Sequence, residues 1–557
     1  MIKHRFGTLT AASLIALAAL GACSKSKSTG RVDGTFKANL FGEPPNLNPF
    51  SYTDLYAQNV FNYVLDQLMV YNSDTYEWQP NLAERFETSK DGKVFTFFLR
   101  KNAKFHDGVP VTAADVKFSF DAIFDDAYGA ARQRTYYTGI AKVEVVDDHT
   151  VKFYTKDTYF GNLQQAALLW IVPKHVYGDP TKGPKITKTV VGSGPYSLEK
   201  LEQGKRLIVK RNDAWHGRSV DGLKEQFLFD RIQFRFVSSQ DLAVQMLEKG
   251  DLDFDTLSGE SYVERTKGPA WGKTVDKVKV QNDSPADGYS FLAWNLLRKP
   301  FDNRNVRIAL AHLMNRELIN QKFRYGMSDL ATGPWYRRSP YADQSVKPIE
   351  FNPAKARELL TKEGWIDSNK DGLLDKVVDG VRRDFRFTMT ISVGSKDALK
   401  YFTLYKEDLK KQGIDMVINQ VEWNTFVKLI SDEKNFDAAT LAWGGGVLDT
   451  DPKQIWHSAN TMPGGSNFIS YKNPVVDKLI DKAIMIPERE KRIPLMQEIY
   501  RTIAADAPYI FLFNTRDIAY GVNKDVIRPK DTRKYSIGAS FWSLKKAAGH
   551  EQLTEVK

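Results

Sequence analysis

Two periodicities alternate along the chain, one of two residues and one near 3.6, and each stretch ends on a recognisable stop signal. Val94-Phe95-Thr96-Phe97-Phe98-Leu99 is dense in β-formers and predicts a strand. Thr112-Ala113-Ala114-Asp115 then reads as a helix start: Thr112 is the N-cap, Asp115 reaches back to it, and Val116, Phe120 and Ile123 share one face. Val143 to Val145 and Val151 to Phe153 alternate on either side of Asp147-Asp148, which predicts a hairpin. Between 232 and 254 the period changes twice. Ile232, Phe234 and Phe236 alternate; Leu242, Met246 and Leu247 recur at helical spacing; Gly250 closes that helix, and Leu252 and Phe254 begin another strand. Strand, helix and strand at this length predict a βαβ unit and a partly parallel sheet.

The second half is punctuated in the same way. Asn352-Pro353 is an N-cap with proline at the first helical position, ahead of Ala356, Leu359 and Leu360, with Gly364 as the stop. Asn473-Pro474 repeats the device before Val476, Leu479, Ile480 and Ala483. Phe385 to Ile391, Met416 to Val421 and Asp437 to Trp443 are strand candidates. No repeat of fixed length recurs, which argues against a solenoid. Alternating elements in both halves predict two α/β lobes with a cleft between them.

Composition narrows the class. The 557 residues are 42% hydrophobic and 26% charged, an ordinary globular balance that excludes disorder, collagen and coiled coil as the main state. The net charge of +11 falls to +9 without Lys3 and Arg5, and Arg337-Arg338 and Arg382-Arg383 read as solvated faces. A nucleic-acid partner is therefore not expected. The single cysteine excludes an internal disulfide or a cysteine-based zinc site. It is Cys23, and it follows a basic start and the apolar run Leu9 to Leu20, too short for a membrane span of about 20 residues but suited to an export signal. Leu20-Gly21-Ala22-Cys23 resembles the bacterial lipobox. Residues 1–22 then form a signal peptide, Cys23 is the lipidated N-terminus, and 23–32 is a polar linker.

Enzyme signatures fail on spacing. The eight histidines never fall four apart, so the helical zinc pair is absent. There is no G-x-S-x-G elbow. Gly268 to Thr274 is one residue short of a phosphate loop, and Gly192-Ser193-Gly194-Pro195 lacks the third glycine of a dinucleotide loop. A two-carboxylate hydrolase stays open, since spacing does not say which acids face each other. Asp367, Asn369, Asp371, Gly372 and Asp375 match a calcium loop, but Val378 stands where the closing glutamate belongs, so a carboxylate-rich surface turn is expected.

Several segments together resemble the large bacterial extracellular solute-binding proteins of peptide and nickel ABC importers, solute-binding family 5. They are Glu43 to Pro49, Phe105 to Ser119, Val191 to Tyr196, Pro300 to Leu310, Ala442-Trp443, and Tyr471 to Pro474 with Asp477-Lys478-Leu479. The resemblance covers nearly all of the mature chain. It implies an α/β, two-lobed, periplasmic-binding-protein-like fold of type II, the large class with an extra subdomain in lobe 1. In this chain the division would be 33–72, 190–290 and 515–557 for the lobe 1 core, 73–189 for the extra subdomain and 291–514 for lobe 2. It also implies a monomer without catalytic residues, cofactor or metal, facing the periplasm or the cell exterior on a lipid anchor. Such a protein hands its peptide to ABC permease subunits.

A binder of many peptides must grip the main chain, the part all peptides share. Trp443 falls at a predicted strand end, and Gly444-Gly445-Gly446 would let a second backbone approach. In oligopeptide-binding relatives an Asp three residues after this Trp holds the peptide's amino group; here that position is Gly446, and Asp449 or Asp451 could supply the charge instead. By the same resemblance Asn467 contacts the peptide, and Pro45, Asn46 and Ala442 line the cleft. His106 is expected as a turn residue and Arg307 as an ion pair holding a helix. The alternatives are the same fold holding a nickel complex, haem, an opine or a saccharide, or an exported hydrolase.

Overall fold

The computed structural model describes residues 34–72, 74–378, 380–529 and 534–545. Twelve strands build its two principal sheets: β1 (Thr35–Asn39), β2 (Tyr196–Glu202), β3 (Arg206–Arg211), β4 (Arg231–Arg235), β5 (Phe254–Leu257), β6 (Val275–Gln281), β7 (Tyr289–Trp294), β8 (Arg386–Ser392), β9 (Asp415–Val421), β10 (Ala438–Trp443), β11 (Tyr509–Phe511) and β12 (Asp517–Asn523). The first sheet has the order β2-β3-β4-β1-β5-β12-β6, the second β9-β8-β10-β7-β11.

The predicted βαβ unit is present with one addition. Helix α1 (Gln240–Lys249) joins β4 to β5 and ends on Gly250, whose φ of +76° is the left-handed C′ geometry that glycine adopts without strain. β1 lies between those two strands and runs parallel to both. The helix buries Ala243, Val244 and Leu247, whereas Leu242, expected on the core face, is 48% exposed. The first lobe also carries the predicted strand Val94–Leu99 and hairpin, within a four-stranded antiparallel sheet spanning Ala83–Thr88 to Thr150–Thr155. One continuous apolar cluster joins both sheets: Phe97 and Phe153 belong to it together with Ile232 and Phe234.

β7 divides the second lobe's core by simple alternation. Leu292 and Trp294 pack on one face of the sheet with Phe387 and Met389, while Tyr289, Phe291 and Ala293 pack on the other with Ala439 and Tyr509. Helices Pro353–Lys362 and Pro474–Ile484 start as expected, with the side chains of Asn352 and Asn473 accepting from amides of the first turn. Arg307 departs from expectation. It is buried and donates to the carbonyls of Phe301, Asp302, Asp506 and Ala507, so it satisfies helix and loop ends and, among the described residues, forms no ion pair.

The chain passes between the sheets twice, at 282–288 and at 512–516. Asn282 ties the passes together: its N–H donates to Arg516 O at 2.7 Å and its side chain to Thr515 O at 3.2 Å. The Tyr336 hydroxyl lies 2.7 Å from Thr515 O and 3.2 Å from Asn282 O. Two tied passes make a hinge.

Candidate functional site

Trp443 ends β10, paired across the sheet with Tyr289. Its indole stacks on Phe291 at 5.8 Å and leans on Phe468 at 6.3 Å, and Phe291 stacks in turn on Tyr509 at 4.1 Å. That aromatic column holds Trp443 half-buried on the second lobe's core, where it lines a cavity of about 70 Å³ at the hinge. Trp335, Tyr336, Asp287 and Asp451 share the lining, and among the described residues no Lys, Arg or His does. Two carboxylates inside aromatic walls make the cavity suited to a positive group.

The glycines divide into two kinds. A Cβ on Gly445 would sit 2.3 Å from Ala286 O, and one on Gly288 would sit 2.0 Å from Trp443 O. The N–H of Gly446 donates to Ala286 O at 2.6 Å. The backbone that Gly445 admits is therefore the chain's own hinge, which corrects the expectation that all three glycines face a ligand. A Cβ on Gly444 or Gly446 would meet nothing within 4 Å, and Gly446 has a φ of +115° that suits glycine alone. Beside them β10 has an open edge. It pairs with β8 only at Ala438 and Ala439, so from Thr440 to Trp443 its strand neighbour is β7 alone. Ala442 is exposed there.

The two candidate acids differ in what they touch. Asp449 accepts from Arg489 Nη2 and Arg492 Nη2, each at 2.8 Å, and from the Tyr341 hydroxyl. Burial works to raise its carboxyl, but Arg489, Tyr341 and Arg492 outweigh burial and hold it below the usual range. Asp449 is thus committed within its own lobe, which corrects its assignment as a ligand contact. Asp451 accepts from Lys453 N–H at 2.7 Å and from the Tyr159 hydroxyl at 3.0 Å. Burial is the main cause that raises its carboxyl above the ordinary value.

A model of the bacterial extracellular solute-binding proteins, family 5, middle, matches residues 77–463. The chain belongs to that family. It is similar to the oligopeptide-binding protein AppA of Bacillus subtilis, 29% identical over 544 residues, which cover 92% of this chain and 94% of AppA. The solved structure of AppA in complex with a nonapeptide matches with a TM-score of 0.75 at 26% identity, over 93% of this chain and all (100%) of that one. Di/tripeptide-binding protein 1 of Pseudomonas aeruginosa is 26% identical over 515 residues, covering 86% of this chain and 89% of its own. NikA from Brucella suis, solved with Fe(III)-EDTA, shares the fold with a TM-score of 0.78 at 20% identity, over 92% of this chain and 100% of its own. The fold is the two-lobed α/β fold of this solute-binding family.

Asn467, Asn46 and Pro45 are not among the residues that line the cavity. Asn467 is 0% exposed; its amide donates to His457 O and Tyr471 O and accepts from Tyr471 N–H, so it staples a turn instead of facing a ligand. Asn46 is folded onto Ser51 and the Asn48 amide. Pro45 is exposed, with its carbonyl 3.5 Å from Lys188 Nζ. His106 sits in a turn, its ring against Gly192 N–H and Gly194 O. Cys23 lies outside the described residues. In the calcium-like loop, Asp367 accepts the amides of Asp371 and Gly372, and Asp375 is held by Ser368 and Arg382. Among the described residues no group of three or more His, Cys, Asp or Glu is placed to hold a metal. Sequence reasoning missed Asp287, Trp335 and Tyr336, which sit in stretches without periodicity; Asp287-Gly288 just before a strand was the available signal.

Proposed function

We propose that this chain is the exported, lipid-anchored substrate-binding protein of an ABC importer, that it captures peptides between its lobes, and that it releases them unaltered. The observation that carries this reading is the open edge of β10 from Thr440 to Trp443, continued by the unobstructed Gly444. An extended peptide added to that edge bonds through its main chain, which lets one site accept many sequences. Its ammonium end would meet Asp451, with the indole of Trp443 against the adjoining residue. The names of AppA and of the di/tripeptide-binding relative support peptides as the solute class.

The lobes would divide at the hinge, with 33–72, 190–290 and 515–557 as the lobe 1 core, 73–189 as its subdomain and 291–514 as lobe 2. Cys23 would carry the lipid, and the loaded monomer would dock on permease subunits. No cofactor, metal or catalytic residue enters this mechanism. Ligand contacts shared by both lobes favour closure, so loading and closing are one equilibrium.

The test is titration of the protein with a mixed peptide library, following tryptophan emission and melting temperature, together with mass spectrometry of solute retained on gentle isolation. A change in emission, a raised melting temperature and co-purified peptide are expected. No response to any peptide, with a nickel complex, haem, opine or saccharide co-purified instead, contradicts the reading. Peptide cleavage abolished by a single carboxylate substitution would make the protein a hydrolase.

A further inference from the structure

We propose that Tyr159 and Phe160 form a latch, by which the first lobe grips the second outside the two hinge passes. The inference does not depend on what the ligand is.

Both residues follow strand Thr150–Thr155 of the first lobe's four-stranded sheet, yet their rings pack on the second lobe's core cluster. Three contacts hold them there. The Tyr159 hydroxyl donates to Asp451 Oδ2 at 3.0 Å. The Phe160 N–H donates to Ile484 O at 3.0 Å, at the end of helix Pro474–Ile484. The Arg492 guanidinium lies over the Phe160 ring, 4.1 Å from its centroid.

The receiving surface is rigid before the latch arrives. Arg492 donates to Asp449, the Tyr341 hydroxyl and the carbonyls of Ile486 and Pro487, so its edge is occupied and its flat face is left for a ring. A preorganised cation over an aromatic face gains attraction without a further ordering cost. A further contact between the lobes, the ion pair of Lys400 with Glu260 at 2.9 Å, is substantially solvent-exposed and contributes little by comparison.

The latch also shares a residue with the cavity. Asp451 is a cavity wall on one side and the acceptor for Tyr159 on the other. A positive group entering the cavity strengthens the ionised form that Tyr159 binds, so occupancy and latching reinforce one another.

The experiment compares the full ligand-free chain with the double variant Tyr159→Phe, Phe160→Ala, using small-angle X-ray scattering and amide hydrogen exchange. Phe160→Leu serves as a second variant that keeps an apolar side chain and removes the ring, and near-ultraviolet circular dichroism checks that each variant is folded. The expected result is a larger radius of gyration in the double variant and exchange at residue 160 at least about tenfold faster. Phe160→Leu should fall between. Identical scattering curves and identical exchange at 160 in wild type and folded variants would overturn the proposal. Failure of every peptide to bind, with these differences present, would sink the peptide reading and leave the latch standing.

Discussion

Arg492 Nη2 lies 2.8 Å from Asp449 Oδ1, and the arginine side chain is 1% exposed. Removing the carboxylate strands a buried cation. Asp449→Ala should lower the free energy of unfolding by about 3–5 kcal/mol, read from urea midpoints at neutral pH. The pH dependence has a fixed sign. Because the folded carboxyl titrates below its unfolded value of about 3.9, its contribution is present above that value and is lost as pH falls through the folded pKa. A wild type that loses no more stability on acidification than Asp449→Asn contradicts this role.

Neighbouring glycines should respond in opposite ways. Gly288→Ala places a methyl against Trp443 O and should cost about 1–3 kcal/mol of stability. Gly444→Ala meets no atom within 4 Å, so its free energy of unfolding should stay within about 0.5 kcal/mol of wild type while peptide affinity drops. Full peptide affinity in Gly444→Ala would move the ligand away from this edge.

The proposed contact of a peptide ammonium with Asp451 predicts that affinity depends on pH. Burial raises its carboxyl, so it gains a proton above the usual Asp range as the solution is acidified. Calorimetric titration should show free-amine peptides losing at least about tenfold in affinity between about pH 7 and about pH 4, with N-acetylated peptides changing less. Asp451→Asn should flatten the difference. Equal losses for both peptide forms would rule out the ammonium contact.

Calcium should not stabilise the protein through the loop at 367–375. The oxygens that would form its shell already accept backbone amides, and Asp375 faces Arg382 at 3.0 Å. Excess calcium should leave the melting temperature within about 1 °C of the calcium-free value. A larger rise, abolished in Asp371→Ala, would restore the loop as a metal site.

Elements whose signals are local were legible in the chain. Asn352, Asn473 and Gly250 act on amides and carbonyls within a turn of themselves, and all three do what their sequence context predicts. Partners distant in sequence were not legible. Nothing in Leu448-Asp449-Thr450 announces that Asp449 will meet arginines 40 and 43 residues later. Arg307 reads as one half of an ion pair because carbonyl acceptors leave no trace in side-chain identity. The triple glycine reads in the sequence as a place where a second backbone approaches, but sequence does not say whose, and at Gly445 it is the chain's own at 286–287.

The last long strand, β12, sits in the interior of the first sheet, bonded to β5 on one side and β6 on the other. A ribosome must therefore deliver residue 523 before the lobe begun at residue 35 can close its sheet. Until then the growing polypeptide lacks the stave next to the sheet's edge, and β6 has no strand to pair with. It also means that clipping some forty residues from the far end would strip β6 of its sheet partner and bare one edge of β5.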